Sequence, residues 1–275
     1  MRRPFWGGGV GYKYFEKFDE LMPQALGGID LQCAHLPGHD HFGQIEEYQR
    51  FMSPDEVQRY LRFAFDKDRY QFLMSRVLLR NALARHLGIS PLDVKFKYGP
   101  YGKPYLPDHG NVSDTVLKFN LTHTDGMAIV AIARGRCIGV DVERIDRPAP
   151  VDVGVQQFHS REAASLLERA GDAAAFRLHF WKLWTLKESL VKATGLGLTI
   201  PLNRFDVSHL ASGFSADNEN ATGPQCQPGT PESERPWYLL SWRPTDLHIA
   251  ALCVERLPKK DGGADDFLDY KGRSA

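Results

Sequence analysis

Two acidic side chains lie two positions apart in the segment Ile138–Arg144, which reads IGVDVER. Residues two apart on a β-strand face the same side, so we expect Asp141 and Glu143 to project together. The intervening Val140 and Val142 then point towards the core. Adjacent carboxylates repel each other unless a cation lies between them. The pair therefore suggests a cation site, although a solvated polar strand face explains the same pattern.

A second candidate group lies in the segment 180–195, which reads FWKLWTLKESLVKATG. Helical spacing places Trp184, Glu188 and Lys192 on one stripe, flanked by Lys187, with leucines on the apolar side. A Glu–Lys pair four residues apart is usually a solvated helix pair. Here the neighbouring tryptophans and the glycine at the end of the segment favour a position at the rim of a packed core.

Two further residues could contact phosphate. His123 ends the strand-like segment FNLTHTD at 119–125, where a histidine can be a phosphate donor, a base or a structural residue. Lys103 lies in the Gly-Lys-Pro turn at 102–104 and could act as a point charge for phosphate. Each signal is weak when it is taken alone.

Charge excludes some partners and is distributed unevenly. The 275 residues contain 34 basic and 34 acidic side chains, so we expect no bulk electrostatic binding of nucleic acid or of an anionic membrane. Residues 56–103, however, contain ten Lys and Arg against four acidic residues. A basic segment opposite a carboxylate pair is what a Mg²⁺-assisted polyphosphate site requires.

The predicted elements indicate an α+β fold. One helix is predicted to start at 53, others are predicted at 68–86, 160–168 and 173–194, and strands at 94–97, 117–122, 128–133, 137–142, 204–208, 237–242 and 248–254. The strands between 117 and 142 read as an antiparallel meander. Helices followed by strands occur twice, which predicts two related halves with a boundary near 146–151.

We divide the chain into an N-terminal extension at 1–50, an N-terminal half at 51–146, a C-terminal half at 147–257 and a flexible tail at 258–275. The polar segment 211–236 has the composition of a surface excursion, and the extension is expected to add only surface. His35, His39 and His41 are interpreted as a loop group rather than a metal site. The four cysteines have no paired spacing, which favours a reduced, cytoplasmic setting.

Four motifs in order resemble those of the Sfp-type 4′-phosphopantetheinyl transferases. They are GKP at 102–104, FNLTH at 119–123, IGVDVE at 138–143 and LWTLKESLVK at 183–192, and the match spans roughly 53–206. The resemblance implies a pseudo-dimeric fold of two similar helix-plus-antiparallel-sheet halves, with coenzyme A (CoA) bound between them. It also implies transfer of phosphopantetheine from CoA to a serine of an apo acyl or peptidyl carrier protein, by a monomer.

The resemblance further implies roles for individual residues. It assigns Asp141, Glu143 and Glu188 to Mg²⁺. It assigns Glu188, Lys192 and Glu162 to catalysis, leaving open whether the serine proton goes to Glu188, which we rank first, to Glu162 or to a metal-bound water. The residues expected to contact CoA are Arg59, Tyr98, Lys103, Pro104, Asn120, Thr122, His123, Lys187 and Lys192, with Arg59 at the 3′-phosphate.

Two alternatives remain from the sequence. One is a CoA- or nucleotide-binding protein without catalysis, although such a protein would have no need to keep all three carboxylates and Lys192. The other is a different Mg²⁺-dependent phosphotransferase or nuclease. The absence of a P-loop or kinase motif and the neutral charge argue against that second alternative.

Overall fold

The structure is a computed structural model that describes residues 28–36, 45–107, 116–211, 225–226 and 236–256. Its helices are α1 (Ile45–Gln49), α2 (Pro54–Leu61), α3 (Asp66–Leu87), α4 (Val151–Gln157), α5 (Ser160–Leu167) and α6 (Ala173–Thr194). Its strands are β1 (Ile29–His35), β2 (Lys97–Tyr98), β3 (Pro104–Tyr105), β4 (Leu117–Thr124), β5 (Met127–Arg134), β6 (Ile138–Arg144), β7 (Phe205–Asp206), β8 (Gln225–Cys226), β9 (Trp237–Thr245) and β10 (His248–Glu255). None of the helices described here is long and apolar enough to cross a membrane.

The same succession of elements occurs twice. Each half begins with one strand, continues through three helices and a short two-stranded piece, and ends in a hairpin. The hairpin's second strand pairs with the half's first strand, giving antiparallel sheets of order β1-β5-β4 and β6-β10-β9. The longest helix of each half, α3 or α6, has 22 residues. The prediction of a pseudo-dimeric α+β fold is confirmed.

The predicted meander between 117 and 142 is wrong in its third strand. Strands β4 and β5 form a hairpin, but β6 pairs with β10 in the other sheet. The reason is that β1 already occupies the second edge of β5. Strand β1 lies in the segment expected to add only surface, and its Cys33 and Ala34 are in fact buried. The predicted boundary at 146 stays a prediction. Strand β6 precedes that position but is hydrogen-bonded in the second sheet.

The helix boundaries agree closely with the sequence. Ser53 caps α2 in a capping box with Glu56, and Pro54 is the first helical residue. Gly88 and Gly195 end α3 and α6 in the left-handed conformation that glycine adopts without strain. The strand predicted at 94–97 begins later, at Lys97. Residues Pro91–Asp93 form a 3₁₀ turn, and the strand that follows is the two-residue β2, which pairs with β3.

Three apolar clusters hold these layers together. One lies between the first sheet and its helices, including α3, and another packs α6 against the second sheet. The third combines Met127 and Ile129 of the first sheet with Val140, Val142 and Leu252 of the second. Each sheet therefore has a long helix on one face and the other sheet on the opposite face. The valines of β6 point into this shared core, as the alternation predicted.

Several sequence interpretations lie outside the described residues. His39 and His41 belong to this group, as do most of the segment 211–236 and the tail from 258 onward. Within the described ranges, no group of three His, Cys, Asp or Glu side chains is arranged to hold a metal ion.

Candidate active site

The site begins where helix α6 crosses strand β6. A Cβ atom added to Gly139 would lie 2.1 Å from the carbonyl oxygen of Ser189 and 2.3 Å from the amide nitrogen of Ala193. Only glycine permits this approach, because both neighbours are helix backbone. The contact places the last turns of α6 directly over the face of β6 that carries the acidic pair.

Residues from three elements meet at this crossing. Lys192 Nζ of α6 lies 2.5 Å from Asp141 Oδ1 of β6, and Asp141 is 4% exposed. Thr122 of β4 donates its hydroxyl hydrogen to Asp141 Oδ1 at 3.2 Å, and Lys192 Nζ donates to Thr122 Oγ1 at 3.2 Å. Since β4 belongs to the first half and β6 to the second, the two halves join here.

The remaining carboxylates share this electrostatic environment. Desolvation and the neighbouring Asp141 charge raise the pKa of Glu143 to about 7, and Arg147, which hydrogen-bonds Glu143, opposes the rise. The pKa of Glu188 is also raised, first by desolvation and then by Asp141. Burial is the larger cause of both shifts and the Asp141 charge the second, and a cation bound here would lower both pKa values.

The carboxylates of Asp141, Glu143 and Glu188 are of the type that binds a hard divalent cation, but they are not arranged around a common metal position. Asp141 Oδ2 is buried and has no hydrogen-bond partner within the described ranges, which leaves one acceptor for a cation. Carboxylate oxygens are the ligands that Mg²⁺ prefers. The three carboxylates do not form a ligand group within the described ranges, where Lys192 pairs with Asp141 and Arg147 pairs with Glu143.

His123 lies between the carboxylates and the basic helices. Its pKa is lowered by desolvation and by the positive charges of Lys192, Arg76 and Arg59, while Asp141 has the opposite effect. A histidine that responds to both groups lies within electrostatic reach of both. The predicted phosphate contact of His123 stays a prediction, and its position is compatible with it.

A pocket of about 580 Å³ opens beside helix α2. Its lining residues are Asp55, Gln58, Arg59, Arg62, Phe63 and Tyr98. The structure therefore brings together Arg59 and Tyr98, two of the predicted CoA contacts that are 39 positions apart in the sequence. The volume falls in the range of small-molecule and cofactor sites.

Lys103 has a structural task that the sequence did not indicate. Its Nζ donates to the carbonyl oxygens of Ile138 at 3.1 Å and Ala193 at 3.2 Å, and also to that of Lys192. Desolvation lowers its pKa to about 8. The Lys103 ammonium thus holds the end of α6 against β6. A contact of this loop with CoA would then have to come from its other residues, including Pro104, which pairs with Tyr98.

Asn120 also connects elements. Its Oδ1 accepts a hydrogen bond from the Val140 amide at 2.9 Å, which joins β4 to β6 next to the Thr122–Asp141 contact. This bond helps to fix the seam between the sheets. A direct contact of Asn120 with CoA stays a prediction.

Glu162 and Lys187 pair with each other in the core, and their predicted roles in catalysis and CoA binding stay predictions. Both are fully buried, and Lys187 Nζ lies 2.7 Å from Glu162 Oε2. The ammonium also donates to the carbonyls of Leu202 and Phe205, and the carboxylate accepts from the Val207 and His159 amides. Adjacent helix residues face different directions, so Lys187 points into the core while Glu188 faces elsewhere.

The first half contains the same kind of ion pair. Glu56 accepts from Arg80 at 2.7 Å, and Arg80 also donates to the carbonyls of Pro91 and Val94. Each acid belongs to a capping box, and each cation is the fifteenth residue of a 22-residue helix. In the sequence this repeat is visible only as a similar spacing, from SPDE to Arg80 in the first half and from HSRE to Lys187 in the second. The residues of the two segments are largely different.

Comparisons with known proteins agree with the topology. Residues 137–252 match a family model described as the 4′-phosphopantetheinyl transferase superfamily, and residues 41–134 match one described as 4′-phosphopantetheinyl transferase, N-terminal. The boundary between the matches falls between β5 and β6, where the two repeats of the fold also meet.

Individual relatives cover most of the chain. The 4′-phosphopantetheinyl transferase HetI of a Nostoc species is 29% identical over 225 residues, which is 82% of this chain and 87% of the relative. The enzyme Sfp of Bacillus subtilis is 27% identical over 76% of this chain and 84% of its own length. A further Bacillus subtilis 4′-phosphopantetheinyl transferase is 30% identical over 60% of this chain and 70% of its own length. The chain belongs to the 4′-phosphopantetheinyl transferase superfamily.

Proposed function

We propose that the protein transfers the 4′-phosphopantetheine arm of CoA to a serine of an apo acyl or peptidyl carrier protein. The observation that carries this function is the joint of Lys192, Asp141 and Thr122 at the seam of the two halves. A basic pocket contains Arg59, and the charges of Lys192 and Arg59 both act on His123. The pocket would take the nucleotide end of CoA. The joint would then lie near the pyrophosphate.

The reaction makes one bond and breaks one bond. The serine oxygen attacks the phosphorus that carries pantetheine, and the bond from that phosphorus to the bridging oxygen breaks. Adenosine 3′,5′-bisphosphate leaves with the bonding electrons, and the serine proton passes to a base. Alignment and charge neutralisation supply most of the acceleration in such transfers.

Glu188 is the residue we assign as proton acceptor. Without a metal its pKa is raised by desolvation and then by Asp141, so a Glu188 oxygen that does not bind Mg²⁺ would be a stronger base than an ordinary carboxylate. Glu162 is disfavoured, because its carboxylate is held by Lys187 and by two backbone amides. Lys192 is positioned to stabilise negative charge on the transferred phosphate, at the cost of loosening its contact with Asp141.

Mg²⁺ is the cation we assign to Asp141, Glu143 and Glu188. When bound, it would neutralise oxygens of the CoA pyrophosphate. The unpartnered Asp141 Oδ2 supports this assignment. We further propose that the protein is a cytoplasmic monomer, since both halves of the cleft come from a single chain. Light scattering after gel filtration tests the monomer.

Intact-mass spectrometry of a carrier protein tests the function. The protein is incubated with CoA, Mg²⁺ and an apo carrier, and a mass gain of one phosphopantetheine is expected. Asp141→Ala and Glu188→Ala should abolish the gain with the fold intact, whereas the exposed Glu168→Ala serves as a matched control. Undiminished Mg²⁺-dependent transfer by Asp141→Ala would refute the metal assignment. An unchanged carrier together with tight CoA binding would favour the non-catalytic alternative.

A further inference from the structure

We propose that Arg76 of α3 recognises the 3′-phosphate of CoA together with Arg59, and that Glu56 and Tyr98 hold it in position. This inference rests on the proposed function, because it takes the nucleotide end of CoA as the occupant of the pocket. The sequence presented Arg76 only as one charge of the basic segment. Its surroundings in the fold distinguish it from the other arginines there.

The guanidinium of Arg76 has few polar contacts for a buried group. Its side chain is 7% exposed, and its Nε lies 3.3 Å from Glu56 Oε1. Its Nη2 donates to the Tyr98 hydroxyl at the long distance of 3.5 Å. These are the polar contacts of the guanidinium within the described ranges, whereas the group carries five N–H donors. Within the described ranges, no Arg76 nitrogen is a buried atom without a partner, so the remaining N–H donors reach accessible surface, where a ligand could accept from them.

The charge of Arg76 is only partly compensated. Glu56 is the acid beside it, but Arg80 Nε lies closer to that carboxylate, at 2.7 Å from Oε2. The Ser53 amide donates to the same oxygen, while Glu56 Oε1 is buried without a hydrogen bond. One carboxylate therefore faces two arginines. The cluster retains one positive charge in a place shielded from water, which favours an anion nearby.

Arg76 borders the pocket through shared neighbours. Tyr98, which accepts its hydrogen bond, lines the pocket together with Arg59. The guanidinium carbons of Arg59 and Arg76 lie 5.3 Å and 5.5 Å from the centroid of the same Phe72 ring. The ring of Phe96 lies 5.7 Å from Arg76. Two guanidinium groups set around one aromatic side chain form a cationic wall, in which Arg76 is buried and Arg59 is exposed.

A phosphate is the anion that this wall suits best. The planar guanidinium fork matches two phosphate oxygens, and such charge-assisted pairs are among the stronger hydrogen bonds in proteins. Arg59 and Arg62 line the pocket against a single acid, Asp55, so the pocket favours a multiply charged ligand. A terminal phosphate monoester, such as the 3′-phosphate of CoA, meets both conditions.

Titration calorimetry with two nucleotides tests this role without any carrier protein. Adenosine 3′,5′-bisphosphate and adenosine 5′-monophosphate differ only in the 3′-phosphate, so the ratio of their Kd values isolates that group. We expect Arg76→Met to weaken bisphosphate binding about 10- to 100-fold and to change monophosphate binding less than about threefold. Arg76→Lys, which keeps the charge, should recover part of the loss.

Matched controls keep the result interpretable. Arg69→Met removes a half-buried arginine of the same helix that pairs with Asp66, and it should bind both nucleotides as the wild type does. Arg76→Met should still fold, because Glu56 keeps Arg80 and the Ser53 amide, and a thermal melt checks this. If Arg76→Met folds and keeps the wild-type ratio of the two Kd values, the proposal is wrong.

The outcome is separable from that of the proposed function. In one outcome the wild type modifies no carrier, and Arg76→Met loses the discrimination for the 3′-phosphate. This result would support the role of Arg76 and refute the transfer. In the other outcome the wild type transfers phosphopantetheine, and Arg76→Met keeps the wild-type discrimination. This result would support the transfer and refute the role of Arg76.

Discussion

Lys192 Nζ and Asp141 Oδ1 lie 2.5 Å apart, which joins the last turn of helix α6 to the middle of strand β6. The two residues belong to different motifs and are 51 positions apart. Their contact exists because Gly139 lets the helix backbone touch the strand, and because Lys103 fastens the end of the helix to Ile138. The site thus depends on residues that carry no chemistry themselves.

Lys192→Met tests the catalytic value of this contact. The substitution keeps the length of the side chain but removes the charge that lies against Asp141, so we expect the transfer rate to fall at least about 100-fold. CoA binding should weaken much less if the lysine acts mainly on charge that develops during transfer. Single-turnover transfer and calorimetric Kd measurements separate the two effects. The exposed Lys118→Met is the control, and a wild-type rate in Lys192→Met would contradict the role.

The buried pair of Glu162 and Lys187 makes a second prediction, for stability. Lys187→Met leaves the Glu162 carboxylate in the core without its cation, which typically costs about 3–5 kcal/mol of unfolding free energy. Replacing both residues, as Glu162→Leu with Lys187→Met, should cost less than the sum of the single changes. Urea unfolding of the two single variants and the double variant gives the coupling. Additive losses would contradict the interpretation as a buried ion pair.

The motifs located the site, but they could not separate chemistry from support within one motif. Lys187 and Glu188 are consecutive letters of LWTLKESLVK, and both were assigned to the cleft. The helix turns by about 100° between them, and only the packing of α6 decides which side is the core. Glu162 was assigned to catalysis for the same reason, because the letters of a motif do not distinguish a buried acid that holds a lysine from a catalytic one.

The halves of the fold were predictable from the order of helices and strands, whereas the exchange of strand β6 was not. Its partner, β10, follows it by more than 100 residues, and the edge of β5 that it might have used is taken by β1. Strand β1 has the sequence IDLQCAH, in which Ile29, Leu31 and Cys33 alternate with polar residues, so a local strand signal was present but did not indicate its partner. Pairings this distant depend on which edges remain available after folding, and local patterns contain no such information.

Gly139→Ala is a third prediction and probes the helix–strand contact directly. The new methyl group would lie 2.1 Å from the Ser189 carbonyl oxygen, well inside contact distance, and backbone cannot move aside as a side chain can. Overpacking of this kind costs on the order of 1–3 kcal/mol, and we expect the upper part of that range. Gly99→Ala is a matched control, because its nearest neighbour would be 3.6 Å away. Equal melting temperatures for both variants would show that the helix is not held as closely as described.

His179 gives a prediction for pH. Burial first, and then the charges of Arg169 and Lys182, lower its pKa from 6.5 to about 4. Between these values the unfolded chain binds a proton that the folded protein does not, so folding stability falls as pH drops from about 6.5 towards 4. The loss from this group is at most about 1.4 kcal/mol per pH unit, and it is absent above pH 6.5 or so.

His179→Gln keeps a polar partner for Ser165, whose hydroxyl lies 2.8 Å from the imidazole Nε2. Urea unfolding at pH 7.5 and pH 4.5 should therefore show a smaller loss for His179→Gln than for the wild type, by about 2 kcal/mol. Equal losses would mean that His179 is protonated in the folded state, and that Ser165 and the solvent accommodate the charge.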